Sequence, residues 1–333
     1  MFVGKGKQKT VSSGGAAQLC RSSGAWRRHR TDYYNQDLNL ASSGETRDSK
    51  DHDNRLKIVL YTTFALVAFA FNSILCRMAL RTGEADAAGF TAVRLVSGAV
   101  ALIVISYFFH KGSSKNALNG TWISAFFLFA YAICFSFAYV GLTAATGALI
   151  LFSSVQFTMI VVALYRGERL GPLEWIGLLI ALAGLVYLQL PGLSSPPPFA
   201  SLLMVAAGIA WGFYSLRGKG SADPLRDTTG NFIRAVPMIA IAAIPFFSQI
   251  RLSSRGLVLA ILSGAIASGV GYTVWYSALK HHPSTRAAVL QLAVPALAAF
   301  GGVMLLSEVM TNRLLIASAL ILGGIAMTIA GRR

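Results

Sequence analysis

The chain has 333 residues, of which 55% are hydrophobic and 13% are charged. A soluble domain carries about 25% charged residues, so the composition excludes an ordinary water-soluble protein. The net charge is +16, but Lys and Arg lie between apolar blocks, where membrane orientation and anionic headgroups account for them. No nucleic-acid recognition motif accompanies this charge, and we expect no nucleic acid as a partner.

The N-terminal tail, residues 1–55, differs in composition from the rest of the chain. It is rich in Ser, Gly and Arg and poor in aliphatic residues, which predicts disorder because such a segment buries too little apolar area. Residues 1–30 contain basic residues and no acidic one, as organelle transit peptides do. A solvated cytosolic tail is the alternative interpretation. An apolar stretch of the kind found in secretory signals is missing.

Apolar blocks close to bilayer length follow the tail, and about 20 apolar residues span a membrane as a helix. Helices satisfy their own backbone hydrogen bonds in lipid, so the pattern predicts an all-α integral membrane protein with ten transmembrane helices. A β-barrel would need alternating strands of about ten residues. The predicted spans are 58–80, 87–109, 121–142, 146–165, 172–191, 199–217, 229–249, 256–279, 285–306 and 312–331.

The orientation follows from the distribution of Lys and Arg between the two sets of helix ends. With the N-terminus inside, basic residues concentrate at the inner helix ends and are sparse at the outer ends. Basic loops stay cytoplasmic, so both termini are expected inside. The membrane is a plasma or inner membrane, or an organelle envelope if the tail is a transit peptide.

An internal repeat becomes visible when the chain is shifted along itself. Each unit contains five predicted spans, an odd number, so the second unit enters the membrane from the opposite side. Inverted repeats of this kind are a recurrent plan of secondary transporters. We divide the membrane region into 56–191 and 198–333. Three pairs of charged residues coincide at one offset: Arg77 with Arg217, Arg94 with Arg234, and Glu168 with Glu308.

Several short motifs occur in the same order in the two halves: Val93-Arg94-Leu95, Tyr139–Ala145, Gly167–Leu170, Trp175–Gly177, Leu182–Leu185, Tyr276–Leu279, Leu306–Glu308 and Gly323–Ile325. Together they resemble the EamA units of the drug/metabolite transporter superfamily. The resemblance covers residues 56–333 and implies ten helices, alternating access, and export or exchange of small organic solutes. One departure is Val155-Gln156, where family members often have Pro, while the second half keeps Pro295.

Charged residues at membrane depth are costly and by default indicate function. Arg94 and Glu308 are expected on the outer side, and Arg234 and Glu168 on the inner side. We hypothesise two charge clusters, one on each side, that latch the gates. The alternative is structural: each Arg extends to the headgroups and each Glu caps its loop.

Polar and aromatic residues at central depth are the candidates for substrate binding. Transporter sites form near the midplane between repeats, with aromatic walls and a few polar groups. Ordinary packing is the alternative, since Tyr and Trp favour membrane interfaces and polar residues join helices. The candidates are Asn72, Tyr131, Tyr139, Gln156, Trp211, Tyr214, Tyr272, Trp275, Tyr276 and Gln291.

These patterns predict a secondary transporter for neutral or zwitterionic, amino-acid-like metabolites. No catalytic motif, metal-ligand spacing or nucleotide loop is found, so we expect no enzyme activity, metal or cofactor. The expected partners are a small-molecule substrate and the lipid bilayer, with a homodimer left open. An exchanger of organic phosphates or nucleotide sugars is the close alternative. A non-transporting membrane scaffold and an intramembrane lipid enzyme are alternatives of another class.

Overall fold

The computed structural model of the protein describes residues 55–109, 119–165, 167, 170–190, 195–282, 290–291 and 293–331. The expectations for the tail up to residue 54 and for Glu168 fall outside these residues. We number the helices of the described part in chain order: α1 (Arg55–Arg81), α2 (Ala87–Phe109), α3 (Trp122–Gly141), α4 (Ala144–Tyr165), α5 (Pro172–Gln189), α6 (Pro198–Gly218), α7 (Pro224–Ala242), α8 (Ser254–Leu279), α9 (Ala293–Leu306) and α10 (Asn312–Ala330).

Eight of these helices are long and apolar enough to cross a membrane by length and composition. Of the other two, α7 has 19 residues, and α9 is described over 14 residues. The outer surfaces carry many exposed aliphatic and aromatic side chains, such as Val100, Phe126 and Leu179. A contiguous apolar surface of this extent is stable in lipid and not in water. The chain is therefore an integral, multi-pass membrane protein.

Polar residues at the predicted loops fix where several helices begin. The Thr121 hydroxyl accepts a hydrogen bond from the backbone N–H of Ser124 at the start of α3. Ser253 and Thr311 cap α8 and α10 in the same way. Each cap satisfies a backbone donor that the first helical turn leaves without a partner. The boundaries predicted for α2, 87–109, agree with the structure.

The start of α7 was predicted wrongly, because hydropathy placed it at residue 229. The helix begins at Pro224, with Asp223 as its cap accepting from the backbone N–H of Arg226 at 3.1 Å. Proline at the first helical position is favoured, since its missing N–H would have no partner there. The first turn contains Arg226 and Asp227, and these charges hide the helix from a hydropathy window.

Successive helices run in opposite directions across the bundle, as contacts between distant loops show. The Asp86 carboxylate, before α2, accepts from the backbone N–H of Arg251, before α8, at 2.8 Å. The Glu308 carboxylate, after α9, accepts from the backbone N–H of Ala144 at the start of α4, also at 2.8 Å. We call this end of the bundle, where α1, α3 and α9 end, the latch end.

The opposite end, where α3 and α7 begin and α6 ends, we call the vestibule end. There Arg217 of α6 donates to the hydroxyls of Ser124 and Thr121 at the start of α3. Helix α1 therefore begins at the vestibule end, whereas α6 begins at the latch end. The second five-helix unit is thus inverted relative to the first, as the odd number of spans predicted.

Among the helix pairs of the described part, many of the most extensive contacts are formed between the two units. The main helix pairs cross between them: α5 with α10, α3 and α4 with α6, and α2 with α7 and α8. The α5–α10 pair is close because Gly177 faces Gly324, where an added Cβ on either would meet the opposite backbone. Small residues permit such close helix packing in lipid. Movement of one unit relative to the other would therefore change the helix contacts in the middle of the protein.

Helix α8 is not a regular α-helix along its length. Residues Leu262–Val270 form a π-helical segment between two α-helical parts. Gly264 lies in this segment, and a Cβ there would clash with the carbonyl oxygen of Arg94. The glycine thus allows α8 to approach the backbone of α2. Segments of this kind often occur at functional sites.

Candidate functional site

Five aromatic side chains from both units meet in the buried interior. We call Phe69, Tyr131, Trp211, Tyr272 and Trp275 the aromatic cage; each is at most 5% exposed. The ring centroids of Trp211 and Tyr272 are 4.6 Å apart, and those of Tyr131 and Trp211 are 5.0 Å apart. Phe69 packs edge-on against Trp211 and Trp275, at 5.7 Å in each case. The cage therefore joins α1, α3, α6 and α8.

The space inside the cage is very small in this state. A cavity of about 10 Å³ lies among Phe69, Tyr131, Trp211 and Tyr272, with α4 closing one side. This volume is at the lower limit for one water molecule. The rings therefore fill the middle of the protein, and a molecule larger than water does not fit among them in this arrangement.

Arg94 lies beside the cage and is 1% exposed. Its Nη2 donates to the hydroxyls of Tyr272 at 2.8 Å and Tyr131 at 3.2 Å. Its Nε donates to the hydroxyl of Ser268 at 3.1 Å. The guanidinium carbon lies 5.1 Å from the ring centroid of Tyr131 and 4.9 Å from that of Phe135, within cation–π range. A permanent positive charge is thus held inside the bundle by neutral groups.

Asn72 extends this polar network across three helices. Its side-chain N–H donates to the Tyr131 hydroxyl at 3.0 Å, and its oxygen accepts from the Ser263 hydroxyl at 2.6 Å. The hydroxyls of Tyr131 and Tyr272 are 3.3 Å apart. Hydrogen bonds therefore connect α1, α2, α3 and α8 around the cage. Satisfied buried networks of this kind fix one arrangement of the helices.

A polar cavity of about 300 Å³ opens at the vestibule end, and we call it the vestibule. Tyr214 and Tyr276 line it, with ring centroids 5.8 Å apart. Tyr214 also lies 5.5 Å from Trp211 of the cage. The vestibule is thus separated from the cage by a single layer of aromatic side chains. Its other walls include Arg217, Asp227, Thr228 and Asn231.

An ion pair connects helices at the latch end, and we call it the latch. The Nε of Arg77 lies 3.2 Å from a carboxylate oxygen of Glu308, with side chains only 13% and 7% exposed. The Nη1 of Arg77 also donates to the carbonyls of Tyr139 and Val140, at 2.9 and 3.1 Å. Since Glu308 also accepts from the backbone N–H of Ala144, the latch ties α1, α3, α4 and α9 together.

The sequence placed the charged residues by side of the membrane but did not name their partners, which the structure shows. Glu308 pairs with Arg77, and the polar partners of Arg94 are Ser268, Tyr131 and Tyr272. Arg94 does not extend to the headgroups. Depth along a helix does not say which side a residue faces, and Arg94 faces inward, where hydroxyls and ring faces surround it.

Arg234, the repeat equivalent of Arg94, has a different environment. It is half-buried and its Nη1 donates to the carbonyls of Asn119 and Gly230, at 2.8 and 3.0 Å. These bonds join α7 to the segment before α3. The repeat therefore preserves the residue type at this position but not its contacts. Glu168, which was expected on the same side, is outside the described residues.

The remaining candidates fall outside the aromatic cage. Tyr139 packs on Phe135 with ring centroids 4.7 Å apart, and its carbonyl belongs to the latch. Gln156 and Gln291 are buried, but neither lines the cage cavity. Tyr214 and Tyr276 line the vestibule.

The sequence analysis missed Phe69, Ser268 and the role of Arg77. Phe69 gave no signal, because a phenylalanine in an apolar span equally fits a lipid-facing position. Arg77 gave one, since it matches Arg217 in the repeat. The repeat offset does not, however, identify Glu308 as the residue that Arg77 contacts.

A family model described as the EamA-like transporter family matches residues 56–189 and 198–330. A protein of Pseudomonas aeruginosa, described as uncharacterised, is 48% identical over 276 residues, which cover 83% of this chain and 96% of that protein. A solved structure titled "Crystal structure of protein" aligns with a TM-score of 0.59 at 20% identity, covering 84% of this chain and 99% of that one. At this identity the match supports the fold alone.

Two relatives with descriptive names are more distant. The threonine/homoserine exporter RhtA of Salmonella typhimurium is 28% identical over 190 residues, which cover 54% of this chain and 62% of RhtA. A chloroplastic WAT1-related protein of Arabidopsis thaliana is 26% identical over 241 residues, which cover 66% of this chain and 58% of that protein. Both alignments span under two thirds of these relatives.

Proposed function

Because the chain belongs to the EamA-like transporter family, we propose that it is a secondary transporter for small, amino-acid-like metabolites that works by alternating access, by export or exchange. The observation that carries this proposal is the position of the aromatic cage. Its rings come from α1 and α3 of the first unit and from α6 and α8 of the second. A solute bound there would contact both units, so its binding would depend on their relative position.

The two ends of the bundle support the alternating-access part. At the vestibule end, a polar cavity of about 300 Å³ reaches the aromatic layer below the cage. At the latch end, the Arg77–Glu308 pair holds the helices together. A carrier with a polar cavity at one end and an ion pair between its helices at the other matches one state of an alternating-access cycle. Inverted repeats make the opposite state accessible by exchanging the two conformations.

The amino-acid-like substrate class follows from the composition of the cage. Its walls are aromatic, and one cation, Arg94, is bonded to its tyrosines among the described residues. Organic phosphates carry about two negative charges and would call for further basic groups. The name of the relative RhtA, an exporter of threonine and homoserine, is consistent with the amino-acid class.

Counterflow of labelled solute tests the proposal. Purified protein is reconstituted in liposomes preloaded with neutral amino acids or, separately, with phosphorylated sugars. We expect saturable exchange of an amino acid, reduced at least about tenfold in Trp211→Ala, because the cage loses its largest shared wall. Trp175→Ala is the matched control, since Trp175 is 48% exposed on α5.

Trp211→Phe separates loss of the indole from loss of folding, because it retains an aromatic ring at the same place. If only phosphorylated sugars are exchanged, the proposed substrate class is wrong but the proposed transport activity stands. Equal flux in Trp211→Ala and the wild type would refute the cage as the binding site. Lack of flux with either pool would refute the proposed function.

A further inference from the structure

Three N–H donors in and beside the aromatic cage have no hydrogen-bond partner among the residues that the structure describes. They are Nη1 of Arg94, Nε1 of Trp211 and Nε1 of Trp275, and each atom is buried. Buried polar groups are nearly always paired, so each exception calls for an explanation. All three are donors, and donors are what an anionic group requires.

The positive charge of Arg94 also indicates that this place suits an anionic group. Among the described residues no carboxylate pairs with it, because its polar partners are the hydroxyls of Ser268, Tyr131 and Tyr272. A guanidinium stays protonated in a protein. An intramembrane charge normally faces a counter-ion or a substrate pathway. A positive charge with neutral partners next to a site for solutes is therefore poised to receive a negative one.

The geometry favours a carboxylate over other anions. A guanidinium presents parallel N–H groups that match the two oxygens of a carboxylate. The tyrosine hydroxyls now bound to Arg94 both belong to residues that line the cage cavity. Separation of the cage rings would move these hydroxyls and free Nη2 beside the already unpaired Nη1. The single positive charge of Arg94 also matches the single negative charge of a carboxylate.

We propose that Arg94 binds the carboxylate of the transported solute, with the indole N–H groups of Trp211 and Trp275 as further donors. This inference rests on the proposed function, because it names the chemical group that the solute must carry. The rest of an amino acid then lies against the rings of the cage, whose faces also attract an ammonium group. Arg94 is thus a substrate-binding residue and not part of a gate.

The test compares solutes that differ only in the carboxylate. It uses the amino acid that the wild-type protein exchanges most strongly and the carboxamide of that amino acid, as unlabelled competitors of counterflow. We expect the wild type to prefer the carboxylate about 10- to 100-fold, the value of a charge-assisted hydrogen bond. In Arg94→Gln this preference should disappear, and Arg94→Lys should retain part of it.

Arg234→Gln is the matched control, because the repeat-equivalent arginine binds the backbone carbonyls of Asn119 and Gly230 outside the cage. It should keep the wild-type preference. The ratio between two solutes is independent of the amount of active protein, and the wild-type comparison needs no variant. Equal competition by acid and amide in the wild type overturns the inference while transport stands, as does an unchanged preference in folded Arg94→Gln. Lack of flux with any solute overturns the proposed function and this inference together.

Discussion

The latch end and the vestibule end are built from equivalent parts of the repeat, yet their arginines have different partners. At the latch end Arg77 binds a carboxylate and two backbone carbonyls and is mostly buried. At the vestibule end its counterpart Arg217 is exposed and binds the hydroxyls of Ser124 and Thr121 beside an open cavity. Sequence symmetry therefore coexists with conformational asymmetry, as the proposed alternating-access cycle requires.

The different partners of Arg77 and Arg217 indicate which end of the bundle is held together by charge. A buried ion pair contributes little compared with an apolar contact, but removing one partner is costly because the other charge stays buried. The latch end should therefore respond strongly to loss of one charge. The vestibule end should respond weakly, since an exposed arginine remains hydrated whatever it binds.

The largest effect is expected from Glu308→Gln. The change leaves Arg77 without its carboxylate and should weaken the closed latch by about 3 kcal/mol, a shift of roughly 100-fold between the two states. Cys76 is fully buried next to Arg77 and serves as the reporter. In a Cys20→Ser, Cys134→Ser background, its alkylation by a maleimide should become at least about tenfold faster.

Asp227→Asn is the control for this measurement, because Asp227 lines the vestibule. It removes a carboxylate at the other end and should leave the alkylation rate of Cys76 unchanged. Equal rates in Glu308→Gln and the parent protein would mean that the ion pair does not hold this end closed.

A smaller effect is expected from exchanging the two charges. Arg77→Glu with Glu308→Arg should restore part of the protection of Cys76 that either single change removes, with a coupling of about 1 to 2 kcal/mol. Restoration should be incomplete, because a glutamate at position 77 cannot donate to the carbonyls of Tyr139 and Val140. Additive effects of the two changes would show that these side chains do not interact.

The smallest effect is expected from Arg217→Gln. This change removes two hydrogen bonds from an exposed side chain and should alter the free energy of unfolding by less than about 1 kcal/mol. Thermal unfolding in detergent measures it, and Cys76 should stay as protected as in the parent protein. If Arg217→Gln increased the alkylation rate of Cys76 as much as Glu308→Gln does, the two ends would not differ in their response to loss of a charge.

Much of the fold was predictable because bilayer-length apolar blocks and their spacing determine helix number and direction. The span 87–109 agreed with α2, where Asp86 accepts from the backbone N–H of Gly89 in the first turn. The start of α7 was missed because a charged first turn follows its cap. There the Asp223-Pro224 pair was the better signal.

The site was predictable only in part. Tyr131, Trp211, Tyr272 and Trp275 stood out as aromatic residues at central depth, and the structure brings them together. The partner of Glu308 was not predictable, since Arg77 lies 231 residues away in the chain. Such contacts depend on how the two units pack together, and neither hydropathy nor the repeat offset predicts that packing.

The π-helical segment of α8 sets the rotational phase of the residues that face the interior. Five residues of an α-helix turn through about 500°, so Ser263 and Ser268 would point about 140° apart. A turn closed by bonds between residues five apart turns less per residue and brings the two side chains closer in direction. Ser263 can then bind Asn72 while Ser268 binds Arg94. The π-helical winding of these nine residues thereby determines which side chains of α8 contact the first unit.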